Sequence, residues 1–206
     1  MPKWFVGWVS RRYVAGTKLS DAVKVMQRLS KEGACFTIDV LGEEITSMEE
    51  ATFFLEEYKR VISAIIDNDL DSNLSIKPTA FGLLLDREKG MENIETLVKM
   101  AQGYDMFVRL DMEDHRVTED TIQVMLDMHQ KGLTNVGVVL QGRLFRTLDD
   151  IERIKQILGP NADYRICKGI YLEPEEISHT DRKPIIDATN KCIDAMLSLI
   201  HISEPT

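Results

Sequence analysis

Apolar residues recur along this chain with two periods that take turns. Leu19, Val23, Met26 and Leu29 fall at helical spacing, and Gly33 follows where a helix ends on a left-handed residue. Ala34-Cys35-Phe36-Thr37-Ile38-Asp39-Val40 then reads as a strand. Ser47 with Glu50 three residues on forms a capping box ahead of an amphipathic stretch through Phe53, Phe54, Tyr58, Val61 and Ile65. The Asp/Asn-rich segment from Asp67 to Asn73 interrupts the pattern, and a short strand, Leu74-Ser75-Ile76-Lys77, stops at Pro78. The alternation continues with a helix from Met91 to Gln102, a strand from Asp105 to Asp111, a helix from Thr118 to Lys131 and the strand Val136-Gly137-Val138-Val139-Leu140. A helix from Leu148 to Leu158 ends at Gly159-Pro160-Asn161, the strand Tyr164-Arg165-Ile166-Cys167-Lys168 follows, and a last helix begins near Pro184. Such alternation predicts an α/β fold with five parallel strands joined by right-handed crossovers. It leaves open a doubly wound sheet and a closed barrel.

The strand ends carry the unusual residues. A buried parallel strand reads as a near-continuous run of Val, Ile, Leu and Phe, so Arg109 and Asp111 at the end of Met106-Phe107-Val108 need partners or a ligand. Glu43, Lys77, Gln141, Arg165 and Lys168 stand at or just past the other strand ends. In a parallel barrel these ends share one face, where residues distant in sequence converge, and this mixture suits an anionic or zwitterionic ligand. Plainer readings accompany each residue. Arg109 and Asp111 lie two apart on one side of a strand, where a structural ion pair is the plainer alternative. Lys77 reads equally as a solvated strand end, and Gln141 as a partner for backbone groups. Glu113, Asp114 and His115 are expected to be loop solvation or helix-start charges.

Composition narrows the classes. The 206 residues, 44% hydrophobic and 29% charged, suit one soluble globular domain, and no internal repeat or low-complexity linker divides them. A net charge of −9 argues against a nucleic-acid partner. Cys35, Cys167 and Cys192 form no C-x-x-C and are expected as core thiols in a reducing compartment, as are the Met and Phe residues at helical spacing in the core. His115, His129, His179 and His201 show no metal-site spacing, so no metal is expected. Glycine-rich dinucleotide and triphosphate loops are missing, as is the serine-hydrolase elbow. The apolar opening through Val9 is too short to span a bilayer, and residues 1–12 are expected to form an arm.

Six segments in order resemble the proline dehydrogenase family, specifically its bacterial single-function form. They are Tyr13-Val14-Ala15-Gly16, Asp39-Val40-Leu41-Gly42-Glu43, Ser75-Ile76-Lys77, Arg109-Leu110-Asp111-Met112-Glu113-Asp114, Val139-Leu140-Gln141 and Arg165-Ile166-Cys167-Lys168-Gly169-Ile170-Tyr171. The resemblance spans about Tyr13 to Met196 and implies a distorted (β/α)8 TIM barrel with FAD held at the strand ends. It implies oxidation of L-proline to Δ1-pyrroline-5-carboxylate by hydride transfer to flavin N5, with electrons passed on to a quinone. A cytoplasmic enzyme with peripheral contact to the inner membrane is implied with it. Asp111 resembles the catalytic aspartate near the substrate nitrogen, and Arg165 the catalytic arginine near N5. Lys77 resembles the residue that holds the proline carboxylate. Tyr171 resembles an aromatic residue beside the substrate, and Glu43 a glutamate that pairs with a substrate-binding arginine. Arg109, Met112, Gln141, Lys168, Gly169 and Ile170 match positions that line the cofactor. Pro78 and Ala80-Phe81 depart from the family's Leu and Gln-Leu, and Gly142-Arg143 departs from its usual pair.

A TIM barrel takes about 250 residues, and five strands are present here. The family's sixth-strand His-Asp segment and paired arginines on the last helix have no counterpart after Met196. The stretch Leu197 to Thr206 resembles translated adapter sequence and is expected to be no part of the barrel, which makes residues 13–196 a partial barrel domain. A half-barrel exposes two sheet edges, so the 206-residue polypeptide alone is expected to be poorly stable and inactive. The residues themselves also fit a non-flavin TIM-barrel lyase or hydrolase acting on an acidic or zwitterionic metabolite through Lys77 and Asp111, or a binding protein without turnover.

Overall fold

Helix α1, Leu19–Ser30, opens the computed structural model, which describes residues 14–200. The expected arm over residues 1–12, Tyr13 and residues 201–206 lie outside the described residues. Gly33 closes α1 at φ +84°, with its N–H on the Ser30 carbonyl, in the left-handed conformation that favours glycine. Helix α2, Met48–Asp67, begins where Ser47 Oγ accepts the Glu50 N–H. The return half of the capping box goes one residue further back, the Glu50 carboxylate accepting from the Thr46 hydroxyl at 2.7 Å. Helix α3, Arg87–Gln102, starts four residues before the apolar periodicity because Asp86 caps it through the Lys89 N–H. Helix α4, His115–Gln130, is capped in the same way by Asp114 through the Arg116 N–H. Helices α5, Thr147–Leu158, and α6, Arg182–Ile200, complete the set, and α6 runs through the first four residues of the segment read as an appended tail.

The strands are β1, Phe36–Ile38; β2, Ser72–Ile76; β3, Val108–Leu110; β4, Val136–Gln141; and β5, Tyr164–Cys167. All neighbours are parallel and the order is β1-β2-β3-β4-β5. This order decides between the two architectures, because a doubly wound sheet reverses direction at a switch point and a barrel does not. Crossovers between parallel strands of one sheet run right-handed, which puts the helices on one face and leaves the other as the inner surface of a curled half-barrel.

Register assigns the residues to the two faces. Leu74, Ile76, Val108, Leu110, Val136, Val138 and Leu140 share the helix-facing side, all buried, and join Tyr58, Ile62, Leu97, Ile122 and Met125 in one hydrophobic core. Each such side chain contributes about 1.5–3 kcal/mol by leaving water. The alternate residues, Ser75, Arg109, Gly137, Val139, Arg165, Gln141 and Cys167, face inward. The Asp111 N–H on the Ile76 carbonyl at 2.8 Å extends the ladder past β3, so Lys77 and Asp111 continue the inward series. Curvature is visible in the loops after β1 and β5. In a flat sheet those strands would lie about 19 Å apart, yet the Tyr171 hydroxyl bonds Glu43 Oε2 at 2.9 Å.

Three expectations need correction. Cys35 is exposed just before edge strand β1, while Cys167 is half-buried and Cys192 buried, so only Cys192 is a full core thiol. Phe53 is 58% exposed, because adjacent helical residues point about 100° apart and Phe54 takes the inward direction. Glu113 is buried, a point developed below. Among the described residues no helix is long and apolar enough to cross a membrane.

Candidate active site

Asp111 lies at the centre of the inward polar face. Its Oδ1 accepts from the Ser75 hydroxyl at 2.7 Å on β2 and from Arg165 Nη2 at 2.8 Å on β5. Ser75 is buried, Asp111 half-buried and the Arg165 side chain open to the mouth, so one carboxylate oxygen is fixed and the other is left for a partner. Lys77, two residues beyond Ser75 on the same face, bonds Asp39 Oδ2 at 2.6 Å. Burial opposes the charge on Lys77, but the bond and field of Asp39 outweigh it, with Asp111 and Glu43 adding, and the ammonium is held above its ordinary range.

Tyr58 on α2 anchors this corner from beneath. Its hydroxyl, fully buried, accepts the Val40 N–H at 3.0 Å and lies 3.0 Å from Asp39 Oδ1 and 2.8 Å from the Ser75 carbonyl. Burial, and then the Asp39 charge, hold that hydroxyl far above the ordinary range, so it stays a neutral hydrogen-bonding group. Tyr58→Phe leaves the Val40 N–H and Asp39 short of a partner, and is expected to cost about 1–3 kcal/mol. Urea denaturation of the full-length protein reads that cost, and an unchanged midpoint would contradict it.

The loop after β5 forms the opposite wall. Gly169 stands at φ +93°, and an added Cβ would sit 2.3 Å from Gln141 Oε1 and within 3 Å of the Arg143 side chain. Gln141 is buried at the end of β4, donating from Nε2 to the Glu113 carbonyl at 2.6 Å, while its Oε1 has no partner. Met112 is buried beside it, its carbonyl 3.4 Å from the same amide nitrogen. Lys168 and Ile170 are exposed on the loop, and Ile170 and Leu172 present almost fully exposed apolar side chains beside the half-buried Tyr171. Burial, then the bond and charge of Glu43, push the Tyr171 hydroxyl well above its usual range.

A sequence model of the family described as proline dehydrogenase matches residues 22–195. The chain belongs to the proline dehydrogenase family. It is 37% identical over 174 residues to proline dehydrogenase 1 of Bacillus subtilis strain 168, covering 84% of this chain and 56% of that one. It is 31% identical over 181 residues to the proline dehydrogenase of Deinococcus radiodurans, covering 86% and 57%. The chain thus spans little more than half the length of these relatives. Its fold matches proline utilization A of Bdellovibrio bacteriovorus inactivated by N-propargylglycine, with a TM-score of 0.82 at 18% identity over 93% of this chain and 24% of that one. The five strands are accordingly part of the proline dehydrogenase (β/α) barrel.

Most positions that match the proline dehydrogenase pattern meet at one mouth: Asp111, Arg165 and Lys77 on the inner face, Glu43 and Tyr171 bonded to each other above it, and Met112, Gln141 and Gly169 along the β4–β5 side. Arg109 does not join them. Its guanidinium crosses β4 at Gly137 to pair with Asp163 at 2.6 Å, stacked over Phe107 at 4.8 Å, below the strand ends. In place of an Arg109–Asp111 ion pair, the plainer alternative for these two residues, there are two separate pairs, Arg109–Asp163 and Arg165–Asp111. Pro78 and Ala80-Phe81, the departures after Lys77, build a buried 3₁₀ turn, Pro78–Phe81, closed by Gly82 at φ +96°, which leaves Lys77 on the inner face. Gly142 is packed against Thr189 of α6, and its N–H continues the sheet onto the Cys167 carbonyl at 2.7 Å.

Asp39, Ser75, Thr79 and Glu113 belong to the site without having been singled out. For Ser75 and Asp39 the signal was present, since each is a polar residue on a strand and Ser75 stands two before Lys77. Thr79 had none. Among the described residues no cluster of three or more His, Cys, Asp or Glu could hold a metal ion.

Proposed function

We propose that this chain supplies the FAD- and proline-binding half of an enzyme that oxidises L-proline to Δ1-pyrroline-5-carboxylate and passes the electrons to a quinone. The observation that carries the reading is Asp111 fixed between Ser75 and Arg165 with Lys77 beside it, in a chain of the proline dehydrogenase family. Proline is a zwitterion, and this face offers a cation and a carboxylate on adjacent strands. Lys77 takes the substrate carboxylate, turning from Asp39, and Asp111 lies against the nitrogen. Loss of hydride from the carbon beside that nitrogen leaves a positive C=N unit, which a fixed carboxylate stabilises more than it does the starting amine.

The residues present fit a flavin. The unpartnered Gln141 Oε1 is a buried acceptor packed against Gly169, whose missing side chain is the room that Gln141 and Arg143 occupy. Met112, Lys168 and Ile170 border the same space, and Arg165 brings a fixed positive charge. Bound FAD supplies the hydride acceptor at N5. Arg109, paired with Asp163, supports this wall from below. Three unpaired cysteines suit the cytoplasm, with a membrane quinone met at its inner surface.

The full-length protein, reconstituted with FAD, is expected to reduce an artificial dye in the presence of proline. Asp114→Ala is expected to keep that activity while costing about 1 kcal/mol through the lost cap of α4. Flavin-free protein that acts on proline by elimination or hydrolysis would replace this reading with a lyase or hydrolase.

A further inference from the structure

Glu113 lies two residues past Asp111, beyond the end of β3, and yet is only 3% exposed. Both of its oxygens are used by one residue, Oε2 accepting the Thr79 N–H at 2.9 Å and Oε1 the Thr79 hydroxyl. That hydroxyl also accepts the Glu44 N–H at 3.0 Å, and the Glu113 carbonyl accepts the Gln141 amide at 2.6 Å. The Thr79–Glu113 pair therefore joins the segments after β1, β2 and β3, and the last residue of β4 reaches it through the Glu113 backbone carbonyl. Each of them carries a residue of the candidate site close by: Glu43 beside Glu44, Lys77 two before Thr79, Asp111 two before Glu113, and Gln141 itself.

We infer that Thr79 and Glu113 form a buried clasp that positions Lys77, Glu43 and Gln141 against Asp111 for proline turnover, an inference that rests on the function proposed above. The pair supplies acceptors to the Thr79 and Glu44 N–H groups, which stabilises the turns in the ordinary way. What the carboxyl adds is direction, with two donors on one residue fixing both the rotation and the height of the turn after Lys77. Glu44 is held at φ +49°, a conformation that non-glycine residues seldom adopt, and its side chain is tied to Arg116. The β1 loop is thus pinned with Glu43 turned to the mouth. Burial pushes the Glu113 carboxyl up, the Thr79 bonds oppose this, Glu43 adds to it and Lys77 offsets it, so the clasp lies within the field of the site it positions.

Thr79→Val, Thr79→Ser and Glu113→Gln in the full-length holoenzyme test the clasp by flavin content and proline kinetics. Thr79→Val is expected to raise KM for proline about tenfold or more with its flavin retained, since small misplacements of binding groups carry such costs. Thr79→Ser, which keeps the hydroxyl, is expected to recover most of that loss. An unmoved KM in Thr79→Val, or an equal loss in Thr79→Ser, makes the pair a packing element and overturns the clasp. Should Thr79→Val yield no flavin-bearing protein, Glu113→Gln decides by the same readout, a raised KM supporting the clasp and an unchanged one removing it. A wild type without proline-dependent reduction removes the functional reading, and the role given to the clasp with it.

Discussion

Asp111→Ala is expected to lower kcat/KM for proline by about a hundredfold or more, the scale seen when one fixed electrostatic partner of a transition state is removed. The carboxylate is held by Ser75 at 2.7 Å and Arg165 at 2.8 Å, so its charge is already oriented before substrate arrives. That preorganisation separates it from the exposed acids around the mouth. Asp111→Asn keeps the shape and one hydrogen-bond acceptor but loses the charge, and is expected to fall nearly as far. Both variants should retain flavin, because Met112, Gln141 and Gly169 are untouched. Steady-state kinetics checks the claim, and an Asp111→Asn enzyme within a factor of three of wild type would remove Asp111 from the chemistry.

Gly169→Ala is expected to lose most bound flavin. Two costs act together at this position. The φ of +93° carries a penalty of about 1–3 kcal/mol for a residue with a side chain. The new Cβ, 2.3 Å from Gln141 Oε1 and 2.7 Å from Arg143 Cδ, must also displace side chains that are themselves buried. Gln141 is tied to the Glu113 carbonyl, and the Arg143 guanidinium to the Tyr171 and His179 carbonyls, so neither yields freely. The flavin-to-protein absorbance ratio of the purified variant reads the effect. A Gly169→Ala protein with wild-type flavin content would show that the cofactor does not lie along this wall.

Most of the fold was legible because buried parallel strands have a composition of their own, as in Val136-Gly137-Val138-Val139-Leu140. The choice between barrel and doubly wound sheet was not, since both alternate strand and helix and differ only in which distant strands pair. Asp111 and Lys77 could be found as polar groups ending apolar strands. The true partner of Arg109 could not be found from its neighbours, because Asp163 is fifty-four residues away by number. A faint signal existed in Gly137, since a glycine inside a strand marks close approach, here of the Arg109 guanidinium. The burial of Glu113 is hidden from the sequence for a local reason. Flanked by Asp114 and His115, it looks like a solvated acidic turn, and its burial depends on Thr79, brought close only by the β2–β3 pairing.

Anaerobic addition of L-proline to the purified full-length protein, followed by its flavin absorption, tests the central claim most directly. The account predicts that proline bleaches the oxidised flavin band, that the quinone acceptor restores it, and that Asp111→Ala slows the bleaching while keeping the flavin. A protein without flavin, or one whose flavin proline leaves untouched, would contradict it.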